Sequence, residues 1–169
     1  MKTVFYGAAI QGASNRGERA GLNRELIDFI KSRGFRVISE HTGGANSAET
    51  ARLLEQSFGT LPADPISRSR FIRRKLIHAI EDPRTHCCVF EVSIPSTGTG
   101  NEIAHAYIRP RLGLPVIPVL ALYQTGSWQN GLSTMIRGID TEEISHFVLE
   151  EYGDITEAKA HISDILRKL

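Results

Sequence analysis

The chain lacks several features that mark whole classes of protein. Its only two cysteines, Cys87 and Cys88, are adjacent. Neighbouring side chains of a strand point to opposite faces, so we expect no mutual disulfide. No segment reaches the roughly 18 apolar residues of a membrane helix, and the amino terminus has no apolar stretch of the signal-peptide kind. These absences favour a reducing, cytoplasmic location and no association with a membrane.

Neither sign of charge dominates. Lys and Arg number 20 against 19 Asp and Glu, a net charge of +1, so nothing in the overall charge favours a nucleic-acid partner. The six histidines show no metal-ligand spacing such as HExxH, and we expect neither a metal ion nor another cofactor. A chain of 169 residues with 41% hydrophobic residues is long enough for one domain, residues 1–169, with a full core.

Apolar strand-like segments alternate with helical ones along the chain. The predicted strands are residues 3–8, 35–39, 87–93, 116–122 and 146–149. The predicted helices are residues 18–33, a short one after Asn46, 66–81, one starting near Asn101, and 154–169. Five strands that alternate with helices predict an α/β fold, a flavodoxin-like doubly wound five-stranded parallel sheet with helices on both faces.

The stretch 86–107 carries the clearest functional signal. An unbroken apolar run is typical of a central strand buried on both faces, and Pro95 prevents further pairing. Residues 96–100 are expected to form a glycine-rich turn, which places Glu102 in the first turn of the next helix. Ligands of open α/β sheets bind at such strand ends, and free N–H groups there suit a phosphate. By position alone, Glu102 is equally well explained as an acid stabilised by the helix dipole.

Three segments resemble one family of enzymes. The segment EVSIPSTGTGNEIAHA resembles the nucleophile segment of the nucleoside 2-deoxyribosyltransferase superfamily, and it is most similar to the branch of 2'-deoxynucleoside 5'-phosphate N-hydrolases. Residues 5–12, FYGAAIQG, resemble the first strand and phosphate-side loop of that family. Residues 132–138, LSTMIRG, resemble a late loop. The three matches occur in the family's order and span most of the chain.

The resemblance implies cleavage of an N-glycosidic bond in a nucleoside 5'-monophosphate, with Glu102 as nucleophile. Ser96 matches a serine that contacts the 5'-phosphate, and Gly98 and Gly100 allow close backbone approach. Ser133 matches a serine that reaches the site from a second subunit, which implies a homodimer; without the match it would be interpreted as a helix cap. The other implied substrate-binding positions are Phe5, Ala9, Ile10, Gln11, Gly12, Asn101 and Met135.

The chain also departs from the family's pattern. Phe5 stands where the family has a tyrosine beside the sugar, so we expect ribonucleotides to be accepted. Ala9 replaces a serine of the phosphate loop. No aspartate matches the one that the family carries on the helix before the central strand. An ungapped count places His78 there, either as a proton donor to the leaving base or as a packed or solvated side chain.

Two further alternatives remain at this point. The basic residues of stretch 66–81 form either a solvated helix face or, through one or two arginines, a grip on the substrate phosphate; they are Arg68, Arg70, Arg73, Arg74 and Lys75. The small residues of loop 9–17 form either a ligand-binding loop or only a flexible turn. The activity could also be transfer of the sugar to a second base, or the chain could bind nucleotides without catalysis.

Overall fold

The computed structural model describes residues 1–10, 15–127, 132–139 and 141–169. Its five strands form one parallel sheet in the order β2-β1-β3-β4-β5. They are β1 Thr3–Ala8, β2 Arg36–Ile38, β3 Thr85–Glu91, β4 Val119–Gln124 and β5 Phe147–Tyr152. This order is the flavodoxin-like one, and the predicted fold class is confirmed.

Helices cover both faces of the sheet. They are α1 Arg16–Ser32, α2 Ser47–Phe58, α3 Pro65–Glu81, α4 Thr97–Tyr107, α5 Thr134–Arg137 and α6 Ile155–Leu166. Two short 3₁₀ helices that we did not predict are Glu40–Gly43 and Arg109–Leu112. Apolar side chains of α1 and α6 pack on one face of the sheet, and those of α3 and α4 pack on the other. In the described part of the chain, no helix combines the length and apolar character needed to cross a membrane.

Successive side chains of β1 and β3 point to opposite faces of the sheet, so these strands contribute to the hydrophobic core on each face. Tyr6 and Val89 face α1 and α6, whereas Phe5 and Phe90 face α3 and α4, with their ring centroids 5.9 Å apart. Cys87 and Cys88 follow the same alternation; they are buried on opposite faces and are free thiols. Because both faces of these strands are covered, a continuous apolar run was the correct signal for them.

The start of α4 differs from our prediction. We expected a turn over residues 96–100 and a helix from near Asn101, but α4 begins at Thr97. Ser96 is its N-cap, and the Ser96 hydroxyl oxygen accepts a hydrogen bond of 3.2 Å from the Thr99 N–H. This cap outweighs the poor helix propensity of the two glycines that follow. Glu102 is therefore in the second turn of α4 and not in the first.

Two other helix ends carry clear local signals. The Asn46 side chain caps α2 by accepting from the Glu49 N–H at 2.9 Å, while a Glu49 carboxylate oxygen accepts from the Ala45 N–H at 2.9 Å. Gly34, which follows the C-cap residue Arg33 of α1, has a φ of +86°, the left-handed conformation that ends many helices.

A buried polar cluster joins the carboxyl ends of the central strands. The Arg19 guanidinium, on α1, lies 2.7 Å from Glu91 at the end of β3, and the two side chains are 10% and 2% exposed. The other Glu91 oxygen accepts hydrogen bonds from Tyr152 Oη at 3.0 Å and from the Ser93 hydroxyl. Arg19 also donates to Gln124 Oε1 at 3.1 Å. One carboxylate thus ties α1, β3, β4 and β5 together.

Removing Arg19 should be far more costly than removing a surface arginine. Arg19→Ala leaves Glu91 buried without a cation, and loss of one partner of a buried pair typically costs about 3–5 kcal/mol. Arg24→Ala breaks an ion pair with Glu49 in which Arg24 is 49% exposed, and it should cost about 0–1 kcal/mol. Urea unfolding of both variants measures the difference. Equal losses would show that the Arg19–Glu91 pair does not hold the strand ends.

Candidate functional site

A cleft opens at the carboxyl ends of β1, β2 and β3, where the order β2-β1-β3 makes the chain reverse direction across the sheet. Such switch points are where open α/β sheets bind ligands. The cavity has a volume of about 370 Å³. We call it the Glu102 cleft, and it is lined by Ala8, Ile10, Arg16, His41, Thr42, Ser47, Thr50, Ala51, Leu54, Leu61, Arg68, Ile72, Leu76, Ser96, Gly98, Thr99 and Glu102.

Glu102 presents its carboxyl group to this cleft from the second turn of α4. Its side chain makes no hydrogen bond or ion pair with the residues that the structure describes, and burial raises its pKa to about 8. Burial penalises the charged form of an acid, and no cation or donor among the described residues offsets that penalty. An acid that is partly buried, open to a cleft and without a partner among the described residues is a strong candidate for a functional group.

Gly7 makes room for Glu102. A methyl group on Gly7 would lie 2.6 Å from Phe90 Cδ1 and 2.9 Å from Glu102 Oε2. Both distances are shorter than packed atoms tolerate, so any larger residue on β1 would displace the carboxylate or the ring. A glycine at this position therefore lets the carboxylate lie directly against the backbone of β1.

His41 is a cleft residue that sequence reasoning missed. It lies in the 3₁₀ helix after β2, it is 4% exposed, and its Nδ1 lies 3.1 Å from the Ser39 hydroxyl. Burial lowers the pKa of His41 to about 4, so the imidazole is neutral near pH 7. Ser39 itself has a left-handed φ of +80°. The signal available in the sequence was position, since His41 directly follows a strand end that borders the switch point.

Two arginines contribute positive charge to the cleft. Arg16 donates to Thr50 Oγ1 at 2.7 Å, and its Nε is buried without a partner among the described residues. Arg68, the one arginine of stretch 66–81 that lines the cleft, donates to the carbonyl oxygens of Pro62 and Ala63 at 2.9 and 3.2 Å. A guanidinium group in the wall of a cleft, with one N–H unsatisfied among the described residues, suits an anionic ligand group.

The structure brings only some of the predicted site residues together. Ile10, Ser96 and Gly98 line the cleft with Glu102. Phe5 is fully buried against α3 and α4, Ala9 is 6% exposed, and neither lines the cleft. His78 is exposed on the far side of α3, beside a separate depression of about 750 Å³ next to β2. Gln11 and Gly12 lie outside the described residues.

The remaining predicted residues share a neighbouring groove of about 690 Å³ between α4 and α5. Gly100, Asn101, Ser133 and Met135 line this Ser133 groove, and Ser96 borders both the groove and the Glu102 cleft. Ser133 occupies the N-cap position of α5 but makes no side-chain capping bond. Ser133 therefore does not reach the Glu102 cleft of its own chain.

Metal ligands are not gathered near the cleft. Within residues 1–10, 15–127, 132–139 and 141–169, no three His, Cys, Asp or Glu side chains are placed to hold a metal ion. The chemistry that these residues offer is thus that of one carboxyl group with arginine, serine, threonine and histidine neighbours.

Comparison with known proteins finds one clear relative. The chain is 31% identical over 156 residues to a protein of Thermofilum pendens (strain DSM 2475 / Hrk 5) named "Putative 2'-deoxynucleoside 5'-phosphate N-hydrolase 1", and the alignment covers 91% of each chain. No protein-family model matches the chain.

The raised pKa of Glu102 makes a prediction about stability. Its folded-state pKa of about 8 lies above the ordinary value of 4.5, so between these values the folded protein holds a proton that the unfolded chain has released. Wild-type stability should therefore fall as pH rises across this window, by up to about 1.4 kcal/mol per pH unit. Glu102→Gln has no such proton, and its stability relative to wild type should grow from about pH 5 to about pH 8 and then level off. Urea unfolding of both proteins across this range is the measurement, and a constant difference would contradict the assignment.

Proposed function

Because this chain belongs to the family of 2'-deoxynucleoside 5'-phosphate N-hydrolases, we propose that it cleaves the N-glycosidic bond of a nucleoside 5'-monophosphate. The products are a free base and a ribose or deoxyribose 5-phosphate. The observation that carries the proposal is Glu102, a partly buried carboxyl group without a partner among the described residues, in a cleft at the switch point of the sheet.

Glu102 acts as the nucleophile in this proposal. As the base leaves, positive charge develops on the anomeric carbon of the sugar, and a carboxylate beside that carbon stabilises it. The carboxylate then forms a glycosyl ester, which water opens in a second step. The ionised form of Glu102 is the nucleophile, and burial makes it the minor form near pH 7. Since no cation among the described residues neutralises that form, its charge acts on the transition state in a site of low polarity.

The 5'-phosphate is placed at the start of α4. Ser96 and Gly98 line the cleft there, next to the N–H groups of the first helical turn, which favour an anion. Arg16 supports the same placement, because its Nε is buried and lacks a partner among the described residues. A phosphate that met this N–H would satisfy a donor whose burial is otherwise costly.

We further propose a homodimer in which Ser133 completes the site of the partner subunit. Ser133 lies in a groove next to its own Glu102 cleft and not inside it, and the two cavities share Ser96 as a common border. Met135 in the same groove is 84% exposed, so its side chain is accessible to a second subunit.

Base release from nucleotides tests the proposed reaction. Wild type is incubated with ribo- and 2'-deoxyribonucleoside 5'-monophosphates and with the matching free nucleosides, and the base is measured by chromatography. We expect release from phosphorylated substrates and a loss of at least ~10²-fold in Glu102→Gln, because the covalent route is removed. Glu18→Gln, an exposed substitution on α1, serves as the matched control. A Glu102→Gln variant within a few-fold of wild type would exclude Glu102 as nucleophile.

Subunit mixing tests the shared site. Glu102→Ala and Ser133→Asp should each be inactive alone, the second because its charge repels the phosphate. In a mixed dimer one site holds both native residues, so an equimolar mixture should recover about a quarter of wild-type activity by random pairing. Ser145→Asp, an exposed serine away from both cavities, controls for the added charge. Recovery should be absent if the protein is monomeric or if Ser133 serves its own subunit.

A further inference from the structure

The described residues that line the Glu102 cleft include a single acid. Among them, Glu102 is the only Asp or Glu. In the described part of the cleft, the nucleophile therefore has no second carboxyl group to act as its acid partner.

The part of the cleft wall formed by α3 has no Asp or Glu among its described lining residues. Its cleft-lining residues are Arg68, Ile72 and Leu76, which are spaced four apart and so share one face of the helix. Ile72 and Leu76 pack in the apolar cluster that also includes Ile103 of α4, the residue after Glu102. This wall thus offers the hydrocarbon of Ile72 and Leu76 and the guanidinium of Arg68, which does not give up its proton.

A neutral base needs a proton when it leaves. Breaking the glycosidic bond places an electron pair on the ring nitrogen, and protonation of the departing base typically contributes about 10²–10⁴-fold to the rate. Apart from the two arginines, His41 is the other titratable side chain among the described residues of the cleft, and it is neutral near pH 7 because burial lowers its pKa to about 4. The described residues of the cleft thus hold no group that carries a transferable proton opposite the carboxylate.

We propose that the preferred substrates are nucleoside 5'-monophosphates whose base carries a fixed positive charge conjugated with the glycosidic nitrogen, such as an N-alkylated purine or a pyridinium. This inference rests on the proposed function and narrows its substrate class. It follows from the contents of the cleft, because a cationic base is the kind of leaving group that departs without an acid.

The reaction balances without a further reactant. A Glu102 oxygen bonds to the anomeric carbon while the carbon–nitrogen bond breaks, and its electron pair cancels the positive charge of the base, which leaves neutral. Water then attacks the anomeric carbon and displaces the carboxylate. One proton of that water is released to solvent, and the hydroxyl group stays on the sugar phosphate.

The charges of the cleft agree with such a ligand. Glu102 lacks a cation among the described residues, so a cationic base would supply its counter-ion and favour the ionised nucleophile. The two other charged residues among those described in the cleft are Arg16 and Arg68, which bond to Thr50 and to the carbonyl oxygens of Pro62 and Ala63 and not to Glu102. Arg16 is the partner assigned to the phosphate.

Two nucleotides that differ by one methyl group and one charge test the inference. GMP and N7-methyl-GMP are compared by kcat/KM, in the sugar series that the nucleotide panel identifies, with nicotinamide mononucleotide as a second cation. We expect kcat/KM for the cationic nucleotides to exceed that for GMP by ~10²-fold or more.

Cationic bases are also intrinsically labile, so the deciding experiment introduces an acid into the part of the cleft wall that α3 forms. Leu76→Asp and Ile72→Asp should each raise GMP cleavage at least about tenfold over the matched Leu76→Asn and Ile72→Asn.

The outcomes separate the two levels of the proposal. Leu76 is 9% exposed, so an acid there threatens folding. Circular dichroism therefore selects the variants that fold. Ile72 is only partly buried and provides a second position for the acid. GMP cleaved within about tenfold of N7-methyl-GMP by wild type, or folded Asp variants no better than their Asn controls, would overturn the cationic preference while leaving the glycosidase. No base release from any nucleotide would overturn both.

Discussion

The ion pair between Arg19 and Glu91 stabilises the carboxyl ends of the strands, where the cleft opens. Glu91 ends β3, and its two carboxylate oxygens bind side chains from α1, from the turn after β3 and from β5. A buried carboxylate is tolerable only when it is paired and hydrogen-bonded, so each of these elements must arrive in one position. The turn that leads from Glu91 to Ser96 and the start of α4 is positioned by the same contacts.

Two glutamates near the end of β3 thus have opposite environments. Glu91 faces α1 and α6 and is fully satisfied, whereas Glu102 faces the cleft and has no partner among the described residues. Glu91 can be charged at little cost because a guanidinium lies 2.7 Å away, and Glu102 cannot. Stability therefore rests on one carboxylate, and the other is left available for chemistry. The separation follows from the sheet itself, since its two faces keep the groups apart.

The outline of the site was accessible from the primary structure, but its contents were not. Glu102, Ser96 and Gly98 were found because a strand end, a helix cap and a family motif coincide within a few residues. His41 and Arg16 were missed, because each reaches the cleft from a different strand connection and neither stands in a recognisable motif. Phe5 and His78 were placed by alignment, and the structure puts the first in the apolar core and the second on the outer side of α3.

Local sequence alone specifies the alternation of strands and helices, the parallel sheet, and the strand end at which the cleft opens. These features depend on periodicity and on apolar runs, which each segment carries in its own residues. Tertiary packing was needed to establish that Gly7 lets Glu102 lie against β1 and that Leu76 rather than an acid faces the cleft. Such features depend on which side of a helix or strand meets a distant segment, and a contact between segments far apart in the chain leaves no periodic trace in either one.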